Sequence, residues 1–144
     1  RGEVKLKSKD PRDTLLIDPR FLSDERDLPR LVKGAQTQQR ILESNAFDGI
    51  RGSQLYKTSA DDPASLIADI RNRADTQYHP VGTCKMGSDA MAVVDARLRV
   101  RGVEGLRVVD ASVMPTVIGG NTNAPTIMIG EKAVDMIRAD AAAH

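Results

Sequence analysis

The chain has 144 residues, the length of one ordinary domain or part of one, and its 28% charged and 40% hydrophobic content is that of a folded globular protein. Its 21 basic and 20 acidic side chains nearly cancel, which removes the electrostatic footprint of a nucleic-acid or anionic-membrane binder. One cysteine, Cys84, excludes an intrachain disulfide and a cysteine-built zinc site, and no apolar run approaches the ~20 residues of a membrane span.

In chain order, "GEVKLKS" alternates Val4 and Leu6 with polar residues, the period-two pattern of a half-buried strand. "TLLIDPRFL" reads as a second short strand entering a proline-bounded turn. Leu28, Leu31, Val32, Ala35, Ile41 and Leu42 then fall at helical spacing, with Ser23 or Asp27 as cap and Pro29 confined to a first turn. The next helix is announced more clearly. In "DDPASLIADIRNRA", Asp62 caps, Pro63 takes the first helical position, and Leu66, Ile67 and Ile70 form the apolar stripe.

After "YHPVGTCKMG", the segments "AVVD", "LRV" and "LRVVD" read as short strands joined by turns in which Gly102 and Gly105 take positive φ. "PTVIGGNTNAPTIMIGEKAVDMIRAD" is a glycine-rich loop feeding a last helix. Its first turns are apolar nearly all round, at Ile127, Met128 and Ile129, the mark of a buried helix, and "ADAAAH" reads as a fraying end. Strands and helices do not alternate as βαβ units, so the expected class is α+β, an antiparallel or mixed sheet with flanking helices. The lone cysteine suits a reducing compartment, and with no targeting segment in view the expected location is cytoplasmic or peripheral to a membrane. A chain opening on Arg1 rather than Met is expected to be an excerpt from something longer.

Two stretches concentrate the residues able to do chemistry. His79 leads, because histidine alone has an unperturbed pKa in the physiological range and the second histidine, His144, stands at the chain end. A lone histidine is more often a hydrogen-bonded structural residue, and Cys84 reads as a small buried hydrophobe. In "GGNTNAPTIMIG", Asn123 serves as a plain helix cap, or the helix N-terminus faces a negatively charged ligand. The pattern does not choose between these. No G-x-G-x-x-G, phosphate loop or H-E-x-x-H is present, so no complete nucleotide site and no metal site is expected.

"HPVGTCKMG" and "GNTNAPTIMIGEKA", with "AVVDARLRVRGVEGLRVVDASVMP" between them, closely resemble the C-terminal region of the glucose–methanol–choline (GMC) oxidoreductases. The likeness is strongest to the bacterial choline dehydrogenase and alcohol dehydrogenase branch and covers residues 2 to 138. It implies FAD-dependent oxidation of an alcohol to a carbonyl, with hydride transfer to flavin N5 and His79 as the base. The family's second active-site position, ten residues before Glu131, is Asn121 here. Asp110 and Ala111, with Asn123 and Ala124, are the implied cofactor-binding residues. Pro80, Gly82, Gly119 and Gly120 supply shape, and Met114 and Pro115 supply packing. Arg97, Arg99, Arg101 and Arg107 are expected on solvated strand faces.

The resemblance further implies a substrate-domain part over 1–77 and active-site loops with an FAD-contacting strand and helix over 78–138. The N-terminal FAD-binding part of the same protein would be missing. Alone, the chain is then expected to be inactive, to lack flavin, and either to self-associate through its last helix or to fold that helix onto its own sheet. The implied substrate is a small alcohol, and no motif names the electron acceptor. Scarce aromatics tilt away from a quaternary ammonium such as choline. The alternative is a non-catalytic substrate- or partner-binding module without flavin, and hydroxynitrile lyase chemistry ranks last.

Overall fold

The structure, a computed structural model, describes residues 1–142; His144 and the end of "ADAAAH" lie outside the described residues. The fold is α+β and divides into two compact units, Arg1–Asp75 and a second beginning at Thr76.

In the first unit, β1 (Glu3–Lys5) pairs antiparallel with β2 (Leu16–Asp18) in the register Val4 opposite Ile17. Arg20 fixes the end of this hairpin, bonding Glu3 at 2.7 Å and Asp18 at 3.1 Å. Helix α1 (Asp27–Leu42) packs on α2 (Pro63–Arg73), whose Leu66 is 3% exposed. Helix α2 starts as its sequence predicts, with Asp62 Oδ1 accepting the N–H groups of Ala64 and Ser65 at 3.1 Å and Pro63 first in the helix. The start of α1 differs from expectation, since neither Ser23 nor Asp27 caps it. The Asp24 carboxylate instead closes on the backbone and guanidinium of Arg26, and Asp27 becomes the first helical residue, a negative charge at the positive end of the helix dipole.

The second unit holds the larger core. Val94 and Val113 are fully buried, and Leu98, Met114, Ile129 and Ala133 close around them. The segments expected as three strands over 92–110 meet only through isolated pairs, Met86 with Val94, Val94 with Val100, and Arg99 with Arg107. The reason is local: Leu98, Gly102 and Gly105 all have positive φ, and the Asp95 carboxylate folds the chain back by accepting the N–H groups of Arg97 and Arg99. No straight run is left long enough for a ladder.

Helix α3 (Asn123–Ala142) lies on this core through one face only. Ile129, Ala133 and Met136 point inward, while Ile127, Met128, Val134 and Ile137 are each 43% to 58% exposed. The all-round apolar character read from the sequence is therefore real, but burial on every side is not what the chain supplies.

Of the four arginines expected on solvated faces, Arg99 and Arg101 are exposed and Arg97 and Arg107 half-buried, and all four also serve as structural partners. Arg97 and Arg107 both hold the Asp140 carboxylate, Arg97 adds a bond to the carbonyl of Met136 at 3.1 Å, Arg99 pairs with Asp95, and Arg101 reaches the carbonyl of Gly87. Short carbonyl-rich turns need donors, and the guanidinium fork supplies several at once. The guanidiniums of Arg97 and Arg107 hold Asp140 below the ordinary carboxylate value of 3.8, so this anchor is complete above that pH and is lost as pH falls through the lowered folded value. Hydrogen-exchange protection factors in the last turns of α3 should therefore fall below pH 3.8 before those of the rest of the unit do. Asp140→Asn should remove that pH dependence, and an acid response identical in the variant would show that the anchor does not carry it.

Candidate active site

The site is built on two segments of the second unit. The "HPVGTCKMG" segment runs beside the helical turn Ala111–Val113, with the N–H of Cys84 donating to Ser112 O at 3.0 Å and that of Met86 to Val113 O at 2.8 Å. Gly82, two residues before the first of these anchors, has φ +87°, and a Cβ placed there would lie 3.3 Å from the carbonyl oxygen of Met114. Only glycine takes that conformation without strain. Gly82→Ala should cost about 1–2 kcal/mol, read as a lower urea midpoint at unchanged m-value. An unchanged midpoint would mean the loop keeps its shape without the glycine.

At the head of this loop, Tyr78 is left-handed at φ +61°, an unfavourable state for a bulky residue, and its N–H is held by the Thr76 hydroxyl at 3.0 Å. Pro80 restricts His79 from the other side. The imidazole, half-buried, is thus aimed by the chain on both flanks.

Its partners come from the start of α3. Nε2 of His79 lies 3.3 Å from Nδ2 of Asn121, and Nδ1 lies 2.9 Å from Oγ1 of Thr122. Asn121 is exposed and Thr122 is 8% exposed. The sequence expectation placed the cap on Asn123, but Asn123 is already helical and its N–H is taken by Oδ1 of Asn121 at 2.9 Å. Asparagine one turn-step earlier does the capping because its short side chain folds back on the backbone two residues on.

Of the other implied residues, Asp110 opens the Ala111–Val113 turn, its Oδ1 accepting the Ser112 N–H at 2.7 Å, and Ala111 packs against the core. Asn123 and Ala124 are the exposed first residues of α3. The structure thus joins His79 directly to Asn121 and ties the Asp110 turn to the histidine loop through backbone pairing. Thr122 was not singled out from the sequence. Its only signal there is a threonine directly before a helix, a cap type whose hydroxyl is spent on the histidine instead.

The GMC oxidoreductase family pattern matches residues 1–130, nine-tenths of the chain. The chain belongs to the GMC oxidoreductase family. Among curated relatives, this GMC chain is 46% identical over 145 residues to an alcohol dehydrogenase [acceptor] of Pseudomonas putida, covering 95% of the chain and 25% of that protein. It is 48% identical over 139 residues to an oxygen-dependent choline dehydrogenase of Escherichia coli, covering 96% of the chain and 25% of that protein. Among solved structures it resembles a pyridoxine 4-oxidase from Mesorbium loti, with TM-score 0.89, 33% identity and coverage of 96% of this chain and 27% of that one. A formate oxidase of Aspergillus oryzae, described for modification of its FAD, matches with TM-score 0.87 and 28% identity over 96% of this chain and 25% of that one. The GMC chain therefore spans about a quarter of the length of the relatives it matches.

The residues present fit a flavin. Gly119 and Gly120 leave open space, with no atom within 4 Å of a built Cβ, and Val117 and Ile118 beside them are 62% and 40% exposed. Next to this open apolar edge stand an imidazole, an amide and the positive end of a 20-residue helix. A flat, partly apolar ring system that gains negative charge on reduction finds its complementary groups in that set.

Proposed function

We propose that the longer protein carrying these residues is an FAD-dependent enzyme that oxidises the CH–OH group of an alcohol to a carbonyl. The observation that carries this reading is the pairing of His79 Nε2 with the Asn121 amide at 3.3 Å, beside the N-terminus of α3. The family membership and the alcohol and choline dehydrogenase relatives support it.

When bound, the flavin supplies the hydride acceptor. His79 takes the hydroxyl proton on Nε2, the ring nitrogen turned toward Asn121. Asn121 donates from Nδ2 to the substrate oxygen and so orients it, without offering a competing base. The first turn of α3, at Asn123 and Ala124, places the positive end of its dipole where reduction leaves negative charge. The Asp110–Ala111 turn, beside the histidine loop, holds another part of the same cofactor.

On this reading residues 1–77 contribute to the substrate domain and 78–138 face the flavin. The uncovered apolar face of α3, Ile127, Met128, Val134 and Ile137, is then the surface that the FAD-binding part of the longer protein covers. Anaerobic addition of primary alcohols to the flavin-loaded full-length protein should bleach the oxidised flavin band. A panel of aliphatic, aromatic and amino alcohols that leaves the band unchanged would remove the reading. In the same assay Asn121→Ala should cost about 1–3 kcal/mol in kcat/KM, the worth of one buried hydrogen bond.

A further inference from the structure

We infer that Thr122 is a positioning residue that holds His79 in the Nδ1–H tautomer, so that Nε2, facing the Asn121 amide, keeps the lone pair that receives a proton. The inference rests on the proposed role of His79 for its functional meaning, while its structural content stands on hydrogen bonds alone.

A backbone group fixes the orientation of the Asn121 amide. The N–H of Asn123 can only donate, and it points at one oxygen of the Asn121 side chain at 2.9 Å. That contact settles which end of the amide is which. Oδ1 must face Asn123, so the group 3.3 Å from His79 Nε2 is the NH2. An amide NH2 has no acceptor to offer, hence Nε2 carries a lone pair and the single proton of the neutral ring sits on Nδ1.

Nδ1–H then needs an acceptor, and the hydroxyl oxygen of Thr122 stands 2.9 Å away. Threonine suits this place, because its oxygen accepts from Nδ1–H while the ring is neutral and accepts equally after Nε2 has been protonated. The bond therefore persists through proton uptake. Thr122 is 8% exposed, so water does not readily replace it, and its carbonyl is itself held by the N–H and hydroxyl of Thr126, at 3.1 and 2.6 Å. The residue is thereby locked to the first turn of α3. A chain of bonds runs from the helix start through Asn121 to Nε2, and a second from the helix start through Thr122 to Nδ1. The donor-only NH2 specifies the Nδ1–H tautomer, the one opposite to that favoured by a free histidine side chain in water, and the Thr122 hydroxyl, which can donate or accept, supplies the acceptor that tautomer needs.

The same logic separates Thr122 from a residue that merely fills space. Valine has the same shape and no acceptor, so Thr122→Val keeps the packing and deletes the bond, whereas Thr122→Ser keeps the bond and deletes a methyl group.

The test is nitrogen-15 NMR of the imidazole in the 144-residue chain without flavin, above the titration of the ring. The wild-type chain should show Nδ1 protonated and Nε2 bare. Thr122→Val should shift population to Nε2–H, and Thr122→Ser should restore the wild-type pattern. Wild-type His79 protonated on Nε2, or a tautomer unmoved by Thr122→Val in a folded variant, overturns the inference. Should the valine variant fail to fold, the wild-type and serine spectra still decide, since the inference requires Nδ1–H in both. In the flavin-loaded full-length protein, Thr122→Val should lower kcat by about tenfold or more, as loss of other outer-shell partners of histidine does, with serine recovering most of it. A moved tautomer with no alcohol oxidation in wild type would sink the proposed function and leave the tautomer assignment standing.

Discussion

Replacing His79 by Ala should lower alcohol oxidation by the flavin-loaded full-length protein about 10²–10⁴-fold, the usual worth of one positioned general base. Flavin content should stay at the wild-type level. Among the described residues the half-buried ring bonds through its side chain to Asn121 and Thr122, while the loop that carries it is pinned independently by the backbone bonds of Cys84 and Met86 to Ser112 and Val113. Among the described residues the position opposite His79 is held by an asparagine rather than a second base. The two measurements are the rate of flavin bleaching by alcohol and the ratio of flavin to protein absorbance after desalting. Near wild-type turnover in His79→Ala would take the base away from this residue, and loss of flavin would recast it as a cofactor ligand.

The largest effect on stability is expected at Ile129. This side chain is 9% exposed and packs α3 onto Val94, Leu98, Val113 and Met114. Ile129→Ala deletes buried methylene groups and leaves a cavity, a loss of about 2–5 kcal/mol. Two positions earlier, Ile127→Ala should change stability by less than about 0.5 kcal/mol, since Ile127 is 58% exposed. Urea unfolding of the two variants, followed by circular dichroism, checks the difference. Equal losses would mean that α3 is seated on another face. Because Asn121 and Thr122 stand at the head of this helix, a chain with Ile129→Ala should also loosen the His79 pairing, which links core packing to the site.

Most of the local structure was legible in single residues. Asp62 and Pro63 marked the start of α2, Gly102 and Gly105 marked turns that require positive φ, and the alternation in "GEVKLKS" marked β1 as a strand, although Val4 and Leu6, read as its buried side, are 42% and 75% exposed. Each rests on a residue whose own backbone preference decides its neighbours within a turn. The strands expected over 92–110 shrank to isolated pairs because a β-branched run signals extended chain but is silent about the side-chain bonds that fold it. The cap on α3 moved from Asn123 to Asn121 for a related reason, since two asparagines two positions apart offer the same chemistry and only the path of the chain selects one.

The motifs "HPVGTCKMG" and "GNTNAPTIMIGEKA" by themselves determined the family and the residue types that the two loops present, because special backbone shapes and reactive groups must be encoded where they are used. The tertiary structure alone decided which groups meet. It brought Thr122 to Nδ1 across 43 positions, set Arg97 and Arg107 on Asp140, and chose the face of α3 that is covered. Those outcomes depend on loop closure and packing between distant segments, whose energies belong to pairs of residues and are written at neither position alone.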